Sequence, residues 1–98
     1  MTYSISFLRA AESDLEDACR WYEIRGERLG SALLQSVQDV LNTIERYPRI
    51  HPIVHNEVRR AEVARFPYGI IYVVKGDTIL IIGVFHNSRD PNQWQARL

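Results

Sequence analysis

One cysteine, one lysine, no net charge and no long apolar run: each shortage in this 98-residue chain removes a class of explanation. Cys19 alone cannot form an internal disulfide, so nothing calls for an oxidising compartment, and core packing is its expected job. The longest apolar run, Ile79 to Phe85, falls far short of the ~20 residues that cross a bilayer, and no basic-then-apolar leader opens the chain. A cytoplasmic protein with no membrane partner is expected. Lys+Arg and Asp+Glu both total 12, which removes the global field that would draw the chain onto nucleic acid or an anionic surface. No glycine-rich phosphate loop, Ser-His-Asp set or paired carboxylates stand out. His51 and His55 are four apart, but Pro52 lies between them and no cysteine or acidic cluster is near, so neither a metal nor a cofactor is expected.

What is present is a globular composition sized for a single domain, residues 1–98, with one core. A chain this short buries only about 60 to 65% of its unfolded surface, so a permanent partner would add stability it has little room to generate alone. Charge is unevenly placed. Residues 1–30 carry six acids against four bases, and residues 56–98 six bases against four acids. Eleven of the twelve bases are arginine, the residue suited to bidentate contacts with carboxylate or phosphate.

Tyr3, Ile5 and Phe7 alternate with Ser4 and Ser6, the period of a half-buried strand. From Ala11 the period changes: Ala11, Leu15, Ala18, Cys19 and Tyr22 make one helical face, and Gly26 stops it. Leu33, Val37, Val40, Leu41 and Ile44 repeat the template until Tyr47-Pro48, because proline cannot continue the ladder. Two amphipathic helices joined around Gly26 fold back as a hairpin, and both stripes need the same cover, which a sheet supplies. Residues 48–57 read as a loop. Residues 58–65 read as an edge strand kept wet by Arg59, Arg60, Glu62 and Arg65. Ile70–Val74 and Ile79–Phe85 are apolar on both faces, as central strands are, with Gly76-Asp77 as a tight hairpin turn. The expected fold class is α+β: strand, helix, helix, three strands and a short helical turn after Asp90, the hairpin lying on a mostly antiparallel four-stranded sheet.

Three constellations carry possible chemistry. His86 ends the last strand with Arg89 three residues on, which fits a proton carrier beside a bound phosphate but, with no second clear proton donor in the pattern, fits better a strand-end histidine that hydrogen-bonds the tail. Arg59 and Arg65 share a strand face if no bulge intervenes, with Arg60 on the other; they fit an anion clamp, or a guard against edge-to-edge aggregation. Trp21 sits 100° off the apolar stripe and reads as cover for the core, whereas Trp94 in the tail reads evenly as cover or partner anchor.

Taken in order, Ala11 with Asp14-Leu15, Trp21-Tyr22, Leu29-Gly30, Ile44 with Pro48, Arg59-Arg60, Phe66-Pro67-Tyr68 with Ile71-Tyr72, Val84 with His86, and Arg89 through Pro91 with Trp94 and Arg97 resemble the RelE/ParE superfamily of toxins from type II toxin-antitoxin modules. The resemblance spans nearly the whole chain. It implies a helical hairpin on a mostly antiparallel sheet and a cognate antitoxin, encoded next door, that wraps and blocks the toxin and carries the pair to operator DNA. It also implies one of two targets. ParE-like members bind DNA gyrase; RelE-like members enter the ribosome and cut messenger RNA by a metal-free attack of the 2′-hydroxyl on its phosphate. Zero net charge, and a tail from Asp90 to Leu98 without Tyr, His or Lys, lean toward gyrase inhibition. Under that reading Arg59, Arg60, Arg65, Trp94 and Arg97 are expected to contact partners. Under the endoribonuclease alternative, His86 carries the proton and Arg59, Arg65 and Arg89 hold the phosphate. A third reading is a non-toxic binding or regulatory module with the same fold.

Overall fold

A computed structural model describes residues 2–90 and 92–98. Among them eight elements follow one another: β1 (Ser4–Phe7), α1 (Arg9–Arg25), α2 (Leu29–Arg46), β2 (Ile53–His55), β3 (Val58–Glu62), β4 (Tyr68–Lys75), β5 (Thr78–His86) and α3 (Asn92–Gln95). The strands form one sheet in the order β1-β5-β4-β3-β2, with β1 parallel to β5 and every other neighbour antiparallel. The α+β class, the helical hairpin and the mostly antiparallel sheet match the sequence reading; the strand count is five, not four. The additional strand is β2, which lies in the stretch read as a loop. It displaces β3 from the edge, so the arginine-bearing strand is flanked on both sides.

Both helical stripes face the sheet as their periods require. Ala11 and Ala18 of α1 and Leu33, Val37, Leu41 and Ile44 of α2 are buried against Ile70, Tyr72, Ile79, Ile81 and Val84. At ~1.5–3 kcal/mol for each fully buried Leu, Ile or Val, these side chains outweigh any helix propensity in holding the hairpin down. Glu23 of α1 joins the two helices by accepting hydrogen bonds from the Arg28 and Gly30 amides (3.1 and 3.0 Å), groups the start of α2 would otherwise leave unpaired. The opposite sheet face carries a smaller cluster of Val58, Ile71, Val73, Ile82 and Phe85, covered by Trp94 of α3. Trp94 is only 5% exposed.

The segment between α2 and β2 is fastened to the sheet from below. Buried Tyr72 donates its hydroxyl to the Pro48 carbonyl (2.7 Å), and Arg59 donates to the carbonyls of Arg49 and His51 (2.9 and 2.7 Å). Burial pushes the Tyr72 phenol up to about 12, against a smaller opposing pull from Arg59, so it remains a donor.

Candidate functional site

The site is set by a break in the alternation of β5. Tyr72 pairs with Ile81, but Ile71 pairs with Gly83, so Ile82 is one residue more than β4 can match: a β-bulge. Before it, Ile79 and Ile81 face the helices and Leu80 faces the tail. After it, Val84 faces the helices and Phe85 the tail. His86, two residues beyond Val84 and paired with Tyr68, therefore emerges on the helix side, which strict alternation from Ile81 would have denied it.

There His86 lies edge-on to Tyr68, ring centroids 5.3 Å apart. The Ser88 amide donates to His86 Nδ1 at 3.1 Å, with the Ser88 hydroxyl 2.8 Å from the same nitrogen. Nδ1 is thus an acceptor, and the neutral ring carries its proton on Nε2. Arg89 follows the turn, its amide bonded to the His86 carbonyl (3.0 Å) and its guanidinium donating to the neutral carboxamide of Gln93 (2.9 Å). Tyr22 continues the aromatic wall, 6.2 Å from Tyr68 and 4.9 Å from Trp21. Burial holds the Tyr68 phenol above its ordinary range, Tyr22 adds to the shift and Arg89 opposes it, so Tyr68 stays protonated at neutral pH. These groups, with Asp14 and Asp17 of α1, line an open cleft of about 380 Å³ between α1 and the end of the sheet. That volume is within the ~300–1,000 Å³ typical of ligand pockets.

Trp21 does not cover the core as expected. It is 48% exposed at the rim of the cleft, and the Arg25 guanidinium lies 3.5 Å from its ring centroid. Indole and guanidinium together make an outward-facing platform.

The other named residues are spread over the molecule. Arg59 is on the helix side but pairs with Tyr72, four positions along β4 from Tyr68, roughly 13 Å at ~3.3 Å per residue, and points into the 48–52 segment. Arg60 is on the tail side, bonded to Glu62 (2.7 Å) and to Asn87. Arg65 is past the end of β3 with φ 70°, exposed, its Nη2 3.5 Å from Ser36 of α2, so it does not share a strand face with Arg59. Trp94 sits in the tail-side cluster, and Arg97 gives its guanidinium to Asp14 (2.7 and 3.0 Å) and to the Ile82 carbonyl (2.9 Å). Pro91 lies outside the described residues. Of the three arginines expected around a phosphate, Arg59, Arg65 and Arg89, only Arg89 meets His86. A smaller hollow of about 230 Å³ on the tail side, walled by Trp94 and Arg60, shares Phe85, His86 and Arg89 with the cleft.

Among the described residues no three His, Cys, Asp or Glu side chains gather as metal ligands. His51 packs edge-on to Tyr72 and His55 to Trp94. No described helix is long and apolar enough to cross a membrane. Tyr68, Tyr22 and Ser88 entered the cleft unannounced by any chemical pattern; only the strand register brings Tyr68 opposite His86.

A family model for the ParE toxin of type II toxin-antitoxin systems, parDE, matches residues 5–91. No curated protein matches the sequence. Solved structures share the fold, three of them as follows. The chromosomal ParDE toxin-antitoxin system of P. aeruginosa superimposes with TM-score 0.64 at 22% identity, covering 87% of this chain and 96% of that one. A free mutant of the E. coli toxin RelE gives 0.72 at 16%, covering 99% and 94%. The RelBE2 toxin-antitoxin complex of Mycobacterium tuberculosis gives 0.61 at 21%, covering 88% and 99%. At these identities the three establish the architecture alone.

Proposed function

This chain belongs to the ParE toxin family of type II toxin-antitoxin systems, and we propose that it halts bacterial growth in the cytoplasm by binding DNA gyrase, with a cognate antitoxin neutralising it. The single observation behind the gyrase reading is the dispersal of its arginines. Cleaving RNA at a metal-free site needs several cations converging on one phosphate next to the proton carrier. Here Arg59 serves backbone carbonyls, Arg65 stands over α2 and Arg60 is tied to Glu62 and Asn87 on the tail side, so that among the described residues lining the cleft Arg89 is the one arginine beside His86. A net charge of zero gives no field for docking on ribosomal RNA. The cleft with its Trp21 platform offers an aromatic, partly polar surface of the kind that anchors a protein partner. The relatives solved as toxin-antitoxin complexes support an antitoxin as the second partner.

A second reading, messenger cleavage, is favoured by one specific feature: His86, Arg89 and protonated Tyr68 share one cleft. Gyrase supercoiling and ribosome-dependent messenger cleavage, measured with the same purified preparation, separate the two. Blocked supercoiling with intact messenger is the expected result, and cut messenger with normal supercoiling overturns it. Expression alone should arrest growth, and co-expression of the adjacent gene product should restore it.

A further inference from the structure

The bulge in β5 is an energetically awkward object. β1 stops at Phe7, opposite Ile81, because the chain turns there into α1. Past Ile81, the side of β5 that faced β1 has no strand beside it among the described residues, and backbone groups at the bulge would be left without a ladder partner.

Two side chains far apart in sequence take the place of the missing strand. Asp14 of α1 accepts the Val84 amide (3.1 Å), and Arg97 of the tail donates to the Ile82 carbonyl (2.9 Å). The same carboxylate and guanidinium form a bidentate pair (2.7 and 3.0 Å), with Asp14 17% and Arg97 23% exposed. Arg97 also lies over the Phe85 ring, 4.7 Å from its centroid. One ion pair therefore satisfies both sides of the extra residue and ties α1 and the tail to it.

We infer that Asp14 and Arg97 are positioning residues for the cleft: their pair holds the bulge, and the bulge decides that His86 faces α1 and Tyr68. Phase is the reason the effect reaches so far. If β5 reverted to unbroken alternation from Ile81, every residue beyond the bulge would change face, and His86 would join Leu80 and Ile82 on the tail side. Asp14 thus governs the orientation of a histidine it does not touch. The functional part of this inference rests on the cleft being the gyrase contact; the structural part does not.

The test uses the intact chain with Asp14→Ala and, as a milder change, Arg97→Gln, which keeps one amide donor for Ile82. In the parent, NMR should show cross-peaks between the His86 and Tyr68 rings, an unprotonated Nδ1 and a slowly exchanging Val84 amide. In each variant that keeps a dispersed amide spectrum, loss of the ring cross-peaks and fast exchange confined to Val84 and its neighbours are expected. Supercoiling inhibition should weaken on the order of tenfold, with His86→Ala adding little further in the variant background. Unchanged ring cross-peaks in a folded variant overturn the inference. So does loss of the whole fold in both variants, which would make the pair a general support rather than a positioning device. A re-aimed His86 with undiminished inhibition sustains the positioning role and removes the cleft from the gyrase contact.

Discussion

Gly83→Ala probes the packing of the bulge with a single methyl group. A Cβ at this position would lie 2.3 and 2.7 Å from two atoms of the Phe85 ring and 3.0 Å from Arg97 Nη1. Comfortable carbon contacts are ~3.5–4.0 Å, so the ring must retreat by about 1 Å. It has little room: Phe85 is buried beneath Trp94 and beside Ile71. Gly83 has no left-handed φ, so the cost is steric alone, about 1–3 kcal/mol for overpacking a filled core. For a chain of this size that lowers the melting temperature by roughly 5–15 °C. Gly76→Ala is the control. It meets nothing within 4 Å but holds φ at 61°, a backbone strain of about 1 kcal/mol. Thermal unfolding followed by circular dichroism should rank Gly83→Ala below Gly76→Ala, and Phe85→Leu should recover part of the loss by making room. A Gly83→Ala protein as stable as the Gly76→Ala control, or no rescue by Phe85→Leu, would refute the packing argument.

Three further outcomes follow from named contacts. Arg59→Gln should lower stability by about 1–2 kcal/mol in urea, since it strips donors from the Arg49 and His51 carbonyls, while leaving supercoiling inhibition by the folded fraction unchanged. His51 is held below the ordinary 6.5, first by burial and then by Arg59, and its buried Nε2 has no hydrogen-bond partner among the described residues. The unfolded chain therefore binds a proton the folded one resists: stability is full above pH 6.5 and falls as pH drops toward the folded value, and His51→Gln should flatten that part of the pH profile of the denaturation midpoint. Trp21→Ala should leave stability within about 0.5 kcal/mol, as expected for a half-exposed side chain, yet weaken growth arrest at equal soluble expression.

Periodicity carried much of the fold. The stripes ending at Tyr22 and Ile44 and the Gly76-Asp77 turn are local signals, and the structure places them as read. β2 left no such signal, because three residues behind Pro52 are too few for a period and become a strand only by pairing with β3. Missing it turned β3 into an edge strand and made Arg59 look like a solvated charge rather than a staple. The bulge was hidden for a different reason: β5 is apolar on both faces, so a slip in phase at Ile82 changes no visible pattern. Without it neither the side on which His86 emerges nor the task of Arg97 can be read, since the Asp14–Arg97 pair spans nearly the whole chain. Angle alone does not place Trp21: 100° off the stripe is enough to bring it to the cleft rim.

His86→Gln tests the central claim, that the cleft holds a partner and performs no proton transfer. Glutamine keeps a donor and an acceptor but cannot take up a proton, so a binding surface should lose no more than about tenfold in supercoiling inhibition, with messenger left whole. A proton carrier would instead lose about 10²–10⁴-fold in the rate of messenger cleavage. A fall of that size in His86→Gln, together with messenger fragments made by the parent protein and absent from the variant, would contradict the account.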